Sequence, residues 1–441
     1  MRAPVLVRNT ASTVRCGVVG VGDSLLLVGD VPALGVKVID AAEIGALPAP
    51  VEVKATKRGV TVSNGIVRAV IDLAGRVAEL EHLPTRRLAN MRDARGRALP
   101  LNQLAMYEDR PRRWEAWDTD RDYMDKCELV DGDCEIAVVE NHPLRGEVRV
   151  ERAIGAKSTI WQTYRLDAGG TRLEVRTEVE WHEDQRLLRA LFPCGVRARH
   201  AWFGTQYGAI ERPIHRNTSW EEARFEVPGH AWMDVSEPGF GVAILDDGRY
   251  GRSAIASADG ATLGLSLLKS PLFPDPSCDR GLHAFHYALM PHAGDWRDAG
   301  VDHAADCLRE PLRALPLQPS TGKAAKGARR VVPGAAPGVA HGASGSLRGA
   351  WAPFEVLASG PMRVEISAWK PAEDGRGRIL RLVETRGARG DVQVFWNTDA
   401  RKVSAVDLLE RPLAREDLAH ASGAATLLRM KPFEIVTLRI E

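Results

Sequence analysis

VRVERAIGAKSTIWQTYRLD at 148–167 and TRLEVRTEVEWHED at 171–184, separated by Gly169 and Gly170, decide the fold of this chain. Both runs alternate apolar and polar residues. Val175, Val179 and Trp181 fall on one register and charged residues on the other. Successive strand side chains point to opposite faces, so a period of two marks a half-buried strand. Two such runs across a Gly-Gly turn predict a long antiparallel pair. Comparable strands are readable at 59–71, 240–246, 261–268, 283–290, 363–368, 378–384, 391–396 and 433–440. Helical periodicity is scarce and short, with 298–309 the best candidate. An antiparallel sheet must cover one face, so long strands with few helices imply sheet-on-sheet packing. The predicted fold class is all-β.

Composition divides the 441 residues into four parts. Residues 1–50 read as a small β unit ending in LPAP at 47–50, and 51–312 as one large β-sandwich. Residues 313–349 read as a linker or loop rich in Gly, Ala, Pro and Ser, and 350–441 as a C-terminal β-sandwich unit. The loop has too little apolar material to offset the entropy of ordering, which predicts an exposed, mobile segment.

The formal net charge is +1, from 59 Lys plus Arg against 58 Asp plus Glu. No long basic block stands out, so neither a nucleic-acid footprint nor a polybasic membrane patch is indicated. No run approaches the ~18 to 20 apolar residues that a membrane span requires. MRAPVLVRNTASTVRCG at the start has no apolar core of a secretory signal. Six scattered cysteines without a C-x-x-C pair read as reduced thiols. These features lead to an expectation of a soluble, cytoplasmic protein. Cys127 and Cys134 flank a turn at Asp131-Gly132-Asp133 and could face each other across strands.

Metal chemistry finds little support. His283 and His286 stand three apart in an alternating run, and a strand sends such positions to opposite faces. There is no H-E-x-x-H and no Cys/His cluster at zinc spacing. Asp246-Asp247 and Glu221-Glu222 read as turn or solvated-face carboxylates.

The run NQLAMYEDRPRRWEAWD at 102–118 is different in kind. It places Asn102, Gln103, Asp109, Trp114, Trp117 and Asp118 within seventeen residues, with three arginines among them. Sugars expose apolar C–H faces ringed by hydroxyls, so an aromatic plane supplies contact area and amides or carboxylates fix orientation. Two readings are open: a saccharide-contacting loop, or a salt-bridged loop pinned by two packed indoles. Nearby, His215, Arg216, Asn217 and Trp220 in HRNTSW, and Trp232 in GHAWMD, combine aromatic and polar residues again. Asn217-Thr218-Ser219 also matches a glycosylation sequence, which carries no weight without a secretory signal.

Six blocks together carry a family resemblance: NGIVRAVIDLAGRVAEL at 64–80, residues 102–118, WHEDQRLLRALFP at 181–193, and ERPIHRNTSWEEARFEVPGHAWMDVSEPGFGVAILDDGRYG at 211–251. The last two are LSLLKSPLFPDPSCDRGLHAFHYALMPHAGDW at 265–296 and DLLERPL at 407–413. In this order they resemble the β-rich C-terminal half of family 38 α-mannosidases of the cytosolic and bacterial type. The resemblance implies a galactose mutarotase-like sandwich at 51–312 flanked by smaller sandwich units. It also implies retaining hydrolysis of terminal α-mannosides, with a zinc site in an N-terminal barrel that has no counterpart in these residues. No catalytic residue and no metal ligand is therefore carried over.

What the resemblance does carry over is a pocket wall. Asn102, Gln103, Asp109, Trp114, Trp117, Asp118 and Arg280 are the candidate substrate-binding residues. Arg280 is the positional match to an arginine near the family's sugar pocket, with an ordinary turn arginine as its other reading. His215, Arg216, Asn217, Trp220 and Trp232 are the candidates to brace the face on which a separate N-terminal catalytic half would sit. The implied partners are an α-mannoside or oligosaccharide and that catalytic half. A stand-alone carbohydrate-binding protein and a structural interaction module remain as alternatives.

Overall fold

A computed structural model describes residues 4–39, 49–317, 340–341, 347–398, 400–420 and 425–441. They form two compact units. One comprises residues 47–205 and 210–309, the other 1–46, 206–209 and 310–441. The predicted all-β class holds, and the helix expected near 298–309 spans Val301–Arg309.

The larger unit contains antiparallel sheets of nine, six and five strands among the described residues. The opening pair of runs lies in the nine-stranded sheet as Arg145–Ile154, Ser158–Asp167 and Leu173–Trp181. Ser158–Asp167 alternates buried and half-buried residues without interruption. Phe240–Asp246, further into the same sheet, is buried at every position. Strand Gln103–Glu108 of the six-stranded sheet is buried at all but its last residue. These strands are covered on both faces, which a two-period pattern cannot signal.

The sheets face each other. Phe192 of the six-stranded sheet meets Tyr287 of the nine-stranded sheet edge-on, with ring centroids 6.2 Å apart. Between them lies a closed polar network centred on Asn102, which is 1% exposed. Its Nδ2 donates to Tyr164 Oη at 2.7 Å and Gln162 Oε1 at 3.2 Å. Its Oδ1 accepts from Tyr287 Oη at 2.6 Å. Gln162 Nε2 donates to Tyr287 Oη at 2.6 Å, and Tyr164 Oη donates to Gly75 O at 2.7 Å. Gly75 turns at φ +67, and a Cβ there would lie 2.5 Å from Val150 Cγ1. That turn joins Val67–Asp72 to Val77–His82 of the five-stranded sheet, so all three sheets share the network. Burial pushes both tyrosine pKa values up, keeping the hydroxyls as donors.

Asn102 is therefore an interior residue, a correction to its expected place in a sugar site. Gln103, 7% exposed, is likewise turned inward, donating to Leu104 O at 3.0 Å and accepting from Arg76.

The second unit also departs from the four-part division. Val5–Arg8 pairs with Val36–Ile39 and with Arg313–Pro316, and Val36–Ile39 pairs with Leu347–Trp351. Both ends of the expected 313–349 linker are thus strands of the N-terminal sheet. A two-strand fragment buries too little apolar surface alone and takes up further strands. The expected mobile stretch, 318–339 and 342–346, lies outside the described residues. In the C-terminal region two four-stranded sheets enclose a core including Phe354, Leu380, Leu382, Val392, Val394 and Leu438. Cys127 and Cys134 are both free thiols.

The Asn102 network predicts a stability effect without a packing change. Tyr287→Phe removes the donor to Asn102 Oδ1 and an acceptor of Gln162, both buried. The expected loss is about 2 kcal/mol, measured by urea unfolding followed by tryptophan fluorescence. A loss below about 0.5 kcal/mol would show that the network contributes no net stability.

Candidate functional site

His182–Gln185 is the connection between strand Leu173–Trp181 of the nine-stranded sheet and strand Arg186–Cys194 of the six-stranded sheet. Each residue in it makes a contact with a different element. His182 N donates to Ser158 Oγ at 2.9 Å. Glu183 Oε1 accepts from Ala156 N at 3.1 Å, Lys157 N at 2.8 Å and Ser158 Oγ at 2.9 Å, which fixes the neighbouring turn. Asp184 pairs with Arg280 and, at 3.2 Å, with Lys157. Gln185 adopts φ +50, a left-handed conformation that a non-glycine residue takes up only when its surroundings hold it. Here its N donates to Ser270 O at 2.7 Å and its O accepts from Asp109 N at 2.9 Å. Its Nε2 donates to Glu115 Oε1 at 2.8 Å.

Through Glu115 this connection positions the aromatic loop. Glu115 Oε2 also accepts from Leu272 N at 2.8 Å, so one carboxylate ties three segments. Trp114 O accepts from Trp117 N at 2.8 Å and Asp118 N at 2.9 Å. The resulting tight turn holds the two indoles edge to face, centroids 6.4 Å apart, yet 61% and 70% exposed. Beneath the loop Lys269 Nζ reaches Asp118 O and Thr119 Oγ1, and lies 3.1 Å from Asp109 Oδ2. That pairing leaves both oxygens of the buried Asp109 without an aligned hydrogen bond. Burial pushes the Asp109 pKa up, Lys269 pulls against it, and Glu226 and Glu115 push it further.

A second exposed aromatic adjoins this loop. Thr218 caps the short helix Ser219–Glu222 in a reciprocal box with Glu221. Arg121 pairs with Glu222, and Arg216 reaches Met124 Sδ at 3.5 Å, joining the two segments. Trp220 on that helix is 77% exposed.

Of the expected substrate-contacting residues, the structure brings Trp114, Trp117, Asp118 and Arg280 to the surface. Asp109 is buried beneath them and supports the loop. Among the expected bracing residues, Arg216, Asn217 and Trp220 are exposed and His215 is half-buried, its Nδ1 sealed without a partner. Trp232 is a correction. It is 5% exposed and packs on Trp296, centroids 4.7 Å apart, because its register turns it inward. Asp246 is a turn carboxylate, its Oδ1 accepting from Gly248 N and Arg249 N, but it is interior and not solvated, forming a fully buried 2.5 Å pair with Arg252. Glu115, Glu183, Asp184 and Gln185 were not singled out as site residues. The signal was present: an acid-acid-amide run, Glu183-Asp184-Gln185, directly after a strand.

No three His, Cys, Asp or Glu side chains gather as metal ligands among the described residues. His283 Nε2 bonds Asp279 O at 2.7 Å, while His286 Nε2 lies 3.4 Å from Glu174.

The comparisons with known proteins agree on one relationship. Residues 62–277 match the glycosyl hydrolases family 38 C-terminal domain, and 363–438 match that family's C-terminal beta sandwich domain. The chain is 35% identical over 389 residues to human Alpha-mannosidase 2C1, covering 88% of this chain and 34% of that protein. It is 37% identical over 248 residues to Alpha-mannosidase G of Dictyostelium discoideum, covering 55% and 22%. It thus spans about a third or less of the length of these relatives. Among solved structures, a family 38 glycosyl hydrolase from Enterococcus faecalis superposes with a TM-score of 0.69 at 15% identity. That match covers 100% of this chain and 53% of the other, and it supports the fold alone.

The Asp184 pair makes a pH-dependent prediction. Its hydrogen bond to Arg280, then that to Lys157, holds its pKa below the ordinary 3.8. The linked stability is therefore present above about pH 4 and lost as pH falls through the depressed folded-state value. Asp184→Asn should melt below the parent at pH 6, and the gap should close as the pH is lowered below about 4, by thermal scans from neutral to strongly acid pH. A constant offset at every pH would show that this charge is not involved.

Proposed function

The chain belongs to glycoside hydrolase family 38 as its C-terminal β portion, and on that premise we propose that it forms part of an α-mannosidase. In that reading it supplies scaffold and one wall of the sugar pocket and performs no bond cleavage. The observation that carries the reading is the rigid display of Trp114 and Trp117, held open on a turn that the Gln185–Glu115 bond anchors. Exposed indoles on a fixed backbone offer a stacking face at small entropic cost.

Each residue has a limited role in this proposal. Trp114 or Trp117 covers an apolar sugar face. Arg280, oriented by Asp184, presents a forked donor to hydroxyls. Trp220 and Arg216, on the adjoining helix segment, meet a separate catalytic half. Zinc and the two carboxylates of a retaining glycosidase would come from that half. The substrate is an α-mannoside or oligosaccharide.

The proposed location is the cytoplasm, supported by six free cysteines. No helix among the described residues is long and apolar enough to cross a membrane.

Two assays test the proposal. The 441-residue chain alone should show no turnover of an aryl α-mannoside, with or without zinc. Supplied with a catalytic half from a related mannosidase, it should restore turnover. Trp117→Ala should then lower kcat/KM about tenfold or more while leaving the melting temperature unchanged, and Arg280→Ala should lower kcat/KM by a similar factor with no more loss of melting temperature than Asp184→Asn shows. Turnover by the chain alone, abolished by mutating one of its own carboxylates, would overturn the non-catalytic assignment. Mannoside binding without any restored turnover would favour a stand-alone carbohydrate-binding protein.

A further inference from the structure

A cleft of about 420 Å³ opens beside the His182–Gln185 connection. Its walls include Met106, Leu129, Ile154, Gly155, Glu183 and Arg186. The volume lies within the usual range for small-molecule sites.

Two charged groups in the cleft have unused hydrogen-bonding capacity. Glu183 is 5% exposed, and all three of its donors, Ala156 N, Lys157 N and Ser158 Oγ, sit on Oε1. Among the described residues no donor reaches Oε2. Oε2 is not sealed from solvent, so its free lone pairs face the cleft. The Arg186 guanidinium, half-buried at the cleft wall, also has free donors. It pairs with Glu128 Oε1 at 3.7 Å, too long for a hydrogen bond.

Glycine permits this geometry. Gly155 turns at φ +59, and a Cβ there would stand 2.6 Å from Glu183 Cδ and 2.7 to 2.8 Å from its two oxygens. Any other residue would drive the carboxylate out of place. Leu129, 53% exposed, gives the rim an apolar surface beside these polar groups.

The charges select the ligand class. Arg186 disfavours a simple cation, while Glu183, with Glu128 and Asp131 nearby, disfavours an anion. A neutral ring carrying several hydroxyls satisfies an open acceptor, a forked donor and an apolar rim together. We propose that this cleft is a saccharide subsite that takes one hexopyranose unit, with Glu183 Oε2 accepting from a ring hydroxyl and Arg186 donating to another. This deepens the mannoside assignment and rests on it.

The test is an amide NMR titration of the isotopically labelled 441-residue chain with methyl α-mannoside, with glycerol and putrescine as controls. The expected result is saturable shifts at Gly132, Gly155 and Ala156 with the mannoside and not with either control. Glu183→Gln keeps an Oε1 acceptor for the three internal donors but replaces the open acceptor with a donor. In the folded variant it should weaken binding about tenfold or more. Leu129→Trp, which fills the cleft from its rim, should abolish those shifts even if the Gln variant fails to fold. Shifts confined to the Trp114 and Trp117 indole signals would overturn the subsite and leave the mannoside assignment standing. An equal response to glycerol, or a response to putrescine alone, would also overturn it.

Discussion

Burying polar atoms between packed sheets is costly unless their donors and acceptors find partners, and Asn102 is where three sheets of the larger unit meet that condition. Its amide engages Gln162, Tyr164 and Tyr287 of the nine-stranded sheet, and Tyr164 passes the chain of bonds to Gly75 in the five-stranded sheet. A half-satisfied network would be worse than an apolar interior. The consequence extends along the chain. With Asn102 held, Gln103–Glu108 enters the six-stranded sheet in one register, Gln103 opposite Leu191 and Glu108 opposite Arg186. That register brings Asp109 N to Gln185 O and so places the aromatic loop over the inter-sheet connection. A one-residue slip would turn every side chain of this strand to the other face and move the loop with it.

Display of the site depends on hydrogen bonds more than on packing. Trp114 and Trp117 gain little from burial, so their turn is held by Glu115, Gln185 and Lys269. The same short connection serves both sides. Glu183 organises the Ala156–Ser158 turn while Asp184 orients Arg280. The aromatic loop and Arg280 are thus both held on elements belonging to a single unit. Trp232 shows the opposite outcome for the same residue type, packed on Trp296 in the interior.

The strands, the scarcity of helix and the family were legible from residues in order. Ser158–Asp167 alternates in burial as its apolar pattern alternates, because one face of that strand meets the core and the other is half covered. The loop tryptophans were legible as a pair of indoles amid arginines and acids, but their exposure was not, since packed indoles pinning a salt-bridged loop fit the same residues. Asn102, Gln103 and Asp109 were not legible. An amide or carboxylate beside a loop reads the same whether it faces a sugar or another sheet. The partners that settle the question are remote: Tyr287 lies 185 residues from Asn102. The strands Arg313–Pro316 and Leu347–Trp351 were missed for a related reason, since their hydrogen-bond partners stand near the chain's start.

Local patterning by itself determined the all-β class, the positions of most strands, the helix near 301 and the family relationship, because side-chain alternation and motif order are properties of neighbouring residues. Tertiary structure alone decided which polar residues are interior and which are open. It turned Asn102 into a rivet and Trp232 into core. It left Trp117 and Arg280 facing outward and gathered Glu183, Arg186 and Gly155 around one cleft. Burial and hydrogen-bond satisfaction depend on groups brought together across long stretches of chain, and no local pattern contains them.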